Sequence, residues 1–438
     1  MAAVLKIEAA ATRPAAADHR ALRLLTAGSV DDGKSTLIGR LLLDSQAILA
    51  DQLDALERRA AGQPIDLSLL TDGLEAEREQ GITIDVAHRY FATRRRKFII
   101  ADTPGHEQYT RNMVTAAAGS DAAVVLVDVT KIDWQAPTVS LLPQSKRHAL
   151  LAHLLRVPSI VFAVNKLDAV DDPATAFAAA RKAIEAFAAQ AGITALSATV
   201  PISALRGDNV TRRLVTPWYL GPSLLELLES LPAAPGNRTS ELMLPVQYVV
   251  RDDDEGTGHQ PRVAWGRIAQ GTVRAGDAVQ VFPSGQRAVV AEVRRAGQGV
   301  DGAQAGESAG IALDRQIDLS RGDWIASPGA LQSAQRFEAT LAWLDTEPAV
   351  TERKYWLRHG NRWVQGRIAE IVHRLDVNTL QPADAHELSV NDIGEVVIEV
   401  QQPLPVQPYA SNRVAGALIV VDPASNRTSG ALLVGAPD

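Results

Sequence analysis

Ala27-Gly28-Ser29-Val30-Asp31-Asp32-Gly33-Lys34-Ser35-Thr36 is the stretch that decides the fold. Within it, Gly28-x-x-x-x-Gly33-Lys34-Ser35 has the complete spacing of a phosphate-binding loop. Glycines let backbone N–H groups turn inward and surround phosphate oxygens. Lys34 sets a compact positive charge against β- and γ-phosphates, and the Ser35 hydroxyl is suited to ligate Mg²⁺. An apolar stretch, Leu22–Ala27, precedes the loop, and a helical pattern, Ser35–Leu43, follows it. Strand, loop and helix in that order are the context the motif needs, because the helix N-terminus adds its own positive end. A chance glycine-rich turn would not bring that context. Gly28, Ser29, Val30, Asp31, Asp32, Gly33, Lys34, Ser35 and Thr36 are therefore expected to hold a nucleotide's phosphates.

Four further strings extend the reading. Asp102-Thr103-Pro104-Gly105-His106 follows the apolar run Phe98–Ala101. An aspartate at such a strand end can hold Mg²⁺ through water, and a glycine N–H can meet the γ-phosphate; the plain alternative is an ordinary Asp-Pro-Gly turn. His106, next to that glycine, is expected to orient the attacking water, a role in which position matters more than proton abstraction. Asn165-Lys166-Leu167-Asp168 ends the apolar run Ile160–Val164. Asp168 can accept two hydrogen bonds from the N1–H and amino group of guanine. Adenine offers neither in that arrangement, and a buried polar group left unpaired discriminates strongly. Ser203-Ala204-Leu205, after Val200–Ile202, is placed to give a backbone N–H to the guanine carbonyl. Gly81-Ile82-Thr83-Ile84 lies between the first loop and Asp102, where Thr83 can cap Mg²⁺ and the γ-phosphate. The expected catalytic groups are thus Lys34, Thr83 and His106, and the expected Mg²⁺ ligands Ser35, Thr83 and Asp102. The other histidines, His148 among them, show no ligand spacing and receive no role.

Composition bounds the rest. A chain of 438 residues suggests roughly two to four domains. Its 46% apolar content suffices for several cores, yet no apolar run approaches the ~18 residues that span a bilayer. Met1–Asp18 is alanine-rich and lacks the pattern of a secretory signal, so a cytoplasmic chain with a flexible tail over 1–20 is expected. The absence of cysteine excludes disulfides, thiolate metal sites and cysteine nucleophiles. A net charge of −7 argues against a general nucleic-acid binder. Of eight lysines, against 36 arginines, Lys34 and Lys166 fall inside nucleotide motifs.

From Leu22 to Leu231 apolar strands alternate with helical stretches, one being Ala174–Ala191, the pattern of a mostly parallel sheet covered on both faces. Arg94–Lys97 reads as a solvated hairpin turn. Leu231–Ser240 has linker composition. After it come short strands separated by turn signals, in two sets that part near Pro328–Ser333. The expected architecture is an α/β P-loop GTPase domain (21–232) followed by two all-β barrel domains (241–330 and 334–438). Arg251–Glu255 reads as a solvated acidic loop.

The motifs in this order resemble translation-factor-type GTPases such as elongation factor Tu. Asp32 stands where translation factors typically carry histidine. The strings Asp72–Asp85, Asp102–Met113, Pro217–Glu226 and Arg315–Asp323, with the Gly416–Gly430 stretch, resemble the GTPase (large) subunit of bacterial sulfate adenylyltransferase. That resemblance covers about residues 20–438 and implies a function that spacing alone does not. A small ATP-binding partner subunit, in a heterodimer or larger complex, converts ATP and sulfate to adenosine 5′-phosphosulfate and diphosphate. GTP hydrolysis with Mg²⁺ on the large subunit is coupled to that uphill step, through switch segments near Asp44–Ile84 and Pro104–Val114. No nucleic acid and no membrane enter. The alternative, a translation-type factor delivering tRNA, fits poorly with the acidic charge and Asp32. Two segments depart from the family: Thr130–Arg147 reads as an insertion before His148, and Asp252–Pro261 replaces a more compact connection. A fused adenylylsulfate kinase, carried by some relatives, is not expected.

Overall fold

The computed structural model describes residues 21–48, 53–54, 58, 66–70, 86–105, 110–232, 241–251, 262–376 and 379–436. Its N-terminal part is built on a sheet of six strands: β1 (Leu22–Ala27), β2 (Ala87–Ala92), β3 (Lys97–Asp102), β4 (Ala122–Asp128), β5 (Ser159–Asn165) and β6 (Leu196–Pro201). They lie in the order β2-β3-β1-β4-β5-β6, and only β2 runs antiparallel to its neighbour. β4 and β5 are buried at every residue, which is why they read as unbroken apolar runs rather than as alternations. β1 alternates: Leu22 and Leu24 face one core with Leu37, Ile38 and Ile100, while Leu25 and Ala27 face the other with Val125, Phe162 and Ile184. Burying each such side chain stabilises the fold by roughly 1.5–3 kcal/mol.

The helices are α1 (Lys34–Asp44), α2 (Thr110–Ala118), α3 (Pro143–Leu154), α4 (Pro173–Gln190) and α5 (Leu224–Ser230). α4 is the helix expected over Ala174–Ala191. Asp172 caps it by accepting from Thr175 N at 3.1 Å, and Pro173 opens its first turn. α5 begins with a full capping box between Ser223 and Glu226. The chain leaves β1 to form β3 on one side and β4 on the other. Strand order reverses at β1, and a crevice opens at its carboxyl end, where the 28–36 loop sits.

One local expectation changes. The turn at Arg94–Lys97 joins β2 to β3, but it is not solvated throughout. Arg96 is buried with its guanidinium on Leu231 O, and Arg95 pairs with Glu229 at 3.3 Å. The departing segment Thr130–Arg147 is partly regular: a 3₁₀ turn covers Val129–Lys131 and α3 takes up the residues from Pro143. Between them Ile132 and Leu141 are buried in the core, and Trp134 packs against it.

The last part contains a closed barrel. Antiparallel strands Lys354–His359, Ala417–Val421, Thr428–Val434, Ala334–Trp343, Ile393–Leu404 and Arg362–Leu375 pair in that order, and the last pairs again with the first. In Lys354–His359, which closes the ring, Tyr355, Leu357 and His359 alternate inward. The preceding sheet runs from Met243–Pro245 to Tyr248–Arg251 around a core of Leu244, Val279, Val290 and Ile311. Its first strand is tied to the residues after strand Arg262–Arg267, where Met243 N donates to Gln270 O at 3.0 Å and Met243 O accepts from Ala269 N at 2.8 Å. The closed barrel is fastened to the α/β part. Tyr409 Oη donates to Leu155 O at the end of α3 (2.9 Å), and Arg413 donates to Ala118 O at the end of α2 (2.8 Å).

Candidate nucleotide site

The 28–36 loop turns because its backbone leaves the ordinary regions. Asp31 (φ 61°) and Gly33 (φ 93°) are left-handed. A Cβ at Gly33 would lie 2.4 Å from Asn165 Nδ2, so glycine is required there for conformation and for space. No side chain caps the start of α1, so its first N–H groups point into the crevice free for an anion. Lys34 is buried, and its Nζ donates to Ser29 O (2.7 Å) and Gly28 O (3.1 Å). An ammonium has three donors, so one remains. Burial lowers the Lys34 pKa, a bias that a bound anion would oppose. Ser35 and Thr36 follow in the first turn, half-buried.

β3 brings Asp102 to the same edge. Its side chain is buried and accepts from Thr26 Oγ1 at 3.4 Å, while Thr103 Oγ1 donates to Thr26 O at 2.5 Å. Pro104 is buried and Gly105 half-buried. A Cβ on Gly105 would stand 2.4 Å from Lys34 Nζ, so a bare backbone is what lets this segment approach the lysine. Thr83 and His106 lie outside the described residues, as do most of the two expected switch segments, the acidic loop beyond Arg251 and the 1–20 tail.

β5 delivers the third string. Asn165 is buried, and its Nδ2 donates to Asp32 O at 2.8 Å, while its Oδ1 accepts from Ala204 N at 2.9 Å. One amide thus joins the phosphate loop to both downstream strings. Lys166 turns through φ 64°, which swings the chain into a 3₁₀ turn holding the buried Leu167 and the half-buried Asp168. Asp168 lies 3.6 Å from Arg206 and lines a cleft with Leu167, Ser203, Arg206 and Trp218. In the Ser203–Leu205 string, the Ala204 N–H is committed to Asn165, and Ser203 Oγ accepts from Arg206 N at 3.0 Å. Arg40 of α1 holds the carbonyls of Ala204 and Leu205, the former at 3.3 Å.

Two residues that received no role from sequence touch the loop. His148, fully buried on α3, accepts from Gly28 N at Nδ1 (3.0 Å), and the Gln144 amide lies 2.9 Å from its Nε2. Burial, helped by the charges of Lys34 and Arg147, pushes its pKa down to about 3, so the ring is neutral and Nδ1 is free to accept. A signal was present in the i, i+4 spacing of Gln144 and His148 on a helix, which aims both at one spot. Lys131 pairs with Asp32 at 3.0 Å. Nothing in its neighbourhood in sequence marks it. Among the described residues, no cluster of three or more His, Cys, Asp or Glu groups could hold a metal ion. Of the expected metal ligands, the described ones offer oxygens: the Ser35 hydroxyl and the Asp102 carboxylate.

Comparison with known proteins places the two ends of the chain. Residues 19–234 match the family model described as elongation factor Tu GTP binding domain, and residues 336–434 match GTP-eEF1A C-terminal domain-like. A protein of Bacteroides fragilis named sulfate adenylyltransferase subunit 1 is 43% identical over 92% of this chain and 83% of its own length. A Xylella fastidiosa protein named bifunctional enzyme CysN/CysC is 45% identical over 92% of this chain; the chain spans 63% of that longer relative. Among solved structures, sup35 complexed with GDP covers 95% of this chain and 94% of its own at 20% identity and a TM-score of 0.43.

Proposed function

The chain belongs to the sulfate adenylyltransferase subunit 1 family, and from that premise we propose that it hydrolyses GTP to drive sulfate activation on a partner. A small ATP-binding subunit would carry the adenylyl transfer. There a sulfate oxygen attacks the α-phosphorus of ATP, diphosphate leaves, and adenosine 5′-phosphosulfate forms. The new phosphate–sulfate anhydride is high in energy, so the step needs a second free-energy source. The GTP-binding domain over 19–234 supplies the place for it. On this reading the GTPase domain spans 21–232, the two barrel domains span 241–330 and 334–438, and the complex is cytoplasmic. Among the described residues no helix is long and apolar enough to cross a membrane.

The observation that carries the proposal is the pair of hydrogen bonds of Asn165, one donated to Asp32 O and one accepted from Ala204 N. It sets a phosphate loop and a base-reading carboxylate at fixed separation, which is what recognising a whole guanine nucleotide requires. Backbone N–H groups of 28–36 and the spare donor of Lys34 would bind the phosphates. The N–H of Gly105 would meet the γ-phosphate, and His106 would orient water. Asp168 would accept from guanine, beside Lys166 and Leu167. Ser35, Asp102 and Thr83 would hold Mg²⁺, and a set of so few oxygens suits an ion that keeps several waters. When bound, Mg²⁺ supplies charge neutralisation on the β- and γ-phosphate oxygens.

Equilibrium titration of the purified chain with GTP, GDP and ATP tests the site. Tight binding of both guanine nucleotides with weak binding of ATP is expected, and equal affinity for ATP would refute it.

A further inference from the structure

Asp32 raises an electrostatic problem. It is fully buried inside the loop that must receive a polyanion. Its Oδ2 accepts from Ser29 N at 2.6 Å, which fixes the turn. The same carboxylate nevertheless sets a negative charge under the phosphates, where low dielectric makes repulsion strong.

Lys131 answers that charge. Its Nζ donates to Asp32 Oδ1 at 3.0 Å and to Val30 O at 2.5 Å. It comes from the last residue of the 3₁₀ turn Val129–Lys131, which continues directly from the fully buried β4. Asp128 caps that turn by accepting from Thr130 N at 3.0 Å. Asp128 Oδ2 also lies 2.7 Å from Lys166 Nζ and 3.9 Å from Lys131 Nζ. Charges therefore alternate Asp32, Lys131, Asp128, Lys166 from the phosphate loop to the base-reading string. Lys34 bonds different carbonyls, those of Gly28 and Ser29, so the two lysines serve different parts of the loop.

We propose that Lys131 is a positioning residue for the phosphate loop. It neutralises Asp32 and pins Val30 O, so that a nucleotide meets a preformed cradle in which the buried carboxylate is answered and the Lys34 charge is left for the phosphates. The inference rests on the reading of 28–36 as the phosphate site of GTP. It gives the start of the segment that departs from the family, Thr130–Arg147, a stated purpose.

The test is a double-mutant cycle with fluorescent N-methylanthraniloyl GDP and GTP, using Lys131→Met, Asp32→Asn and the pair together in the full chain. Lys131→Met should weaken GDP binding by about tenfold or more, because the buried Asp32 carboxylate loses its cationic partner. The loss should be larger for GTP, which carries more charge past Asp32. In the Asp32→Asn background the same lysine change should cost less than about threefold, because the charge it answers is gone. Equal losses in both backgrounds, or a Lys131→Met chain within about twofold of wild type, would overturn the proposal. If Lys131→Met alone does not fold, the pair should still fold and bind within about threefold of Asp32→Asn; a larger loss, or failure to fold, overturns it. A wild-type chain that binds neither nucleotide would refute the phosphate site itself, and the role of Lys131 with it.

Discussion

Asn165 donates through Nδ2 to the backbone carbonyl of Asp32 at 2.8 Å and accepts at Oδ1 from Ala204 N at 2.9 Å. Three segments separated widely in sequence are thereby held as one unit. Asn165→Ala removes both bonds and strands a buried carbonyl and a buried N–H. Each such orphan costs about 1–3 kcal/mol. GTP and GDP affinity should fall together by roughly tenfold to a hundredfold, measured by equilibrium titration. Loss of GTP affinity alone would place Asn165 with the γ-phosphate instead.

Asp168 is the expected reader of the base. Asp168→Asn should exchange an acceptor for a donor facing the guanine amino group. Preference should swing from GTP toward xanthosine triphosphate, whose C2 carbonyl can accept, by at least about tenfold in relative affinity. Competition binding reads the swing, and an unchanged preference would remove Asp168 from base recognition.

His148 is held neutral in the fold, with a pKa of about 3 against an ordinary 6.5. Between those values the unfolded chain binds a proton that the folded chain refuses. Stability therefore rises with pH across that window and falls on acidification below 6.5, by roughly 1 kcal/mol per pH unit for this group. His359, buried and lowered to about 4, adds a second contribution of the same sign. Urea unfolding at pH 7 and pH 5 should show the loss, and His148→Gln should show a smaller one. An identical pH slope in the variant would mean that His148 titrates normally.

His106→Ala should slow GTP hydrolysis by roughly a hundredfold or more while GTP affinity stays within a few-fold, since water-orienting residues act in the transition state. Single-turnover hydrolysis beside equilibrium binding separates the two quantities. A parallel loss of affinity would make the role structural.

The α/β part was legible because its signals are local. β1, the glycine loop and the start of α1 occupy one continuous stretch, and β4 and β5 are unbroken apolar runs. Order then did the rest: Asp102 and Asn165 end, and Ser203 follows, strands that the parallel topology aligns with β1. What sequence missed is contributed from a distance. His148 and Lys131 reach the phosphate loop across 120 and 99 residues. A lone lysine carries no periodicity that announces such a contact, and His148 is marked only by its i, i+4 spacing from Gln144. The strand Lys354–His359 closes the last barrel with Tyr355 and His359 turned inward, so its alternation is weaker in hydropathy than in shape. Arg96 looked solvated because charge runs usually are, but its guanidinium answers the carbonyl of Leu231.

GTP hydrolysis on this chain is proposed to drive sulfate activation. The most direct measurement co-purifies the chain with its candidate small ATP-binding subunit and assays adenosine 5′-phosphosulfate formation from ATP and sulfate, with and without GTP. The phosphosulfate yield of the complex should rise strongly with GTP and fall back when GTP is replaced by a non-hydrolysable analogue. A complex equally productive without GTP would contradict it.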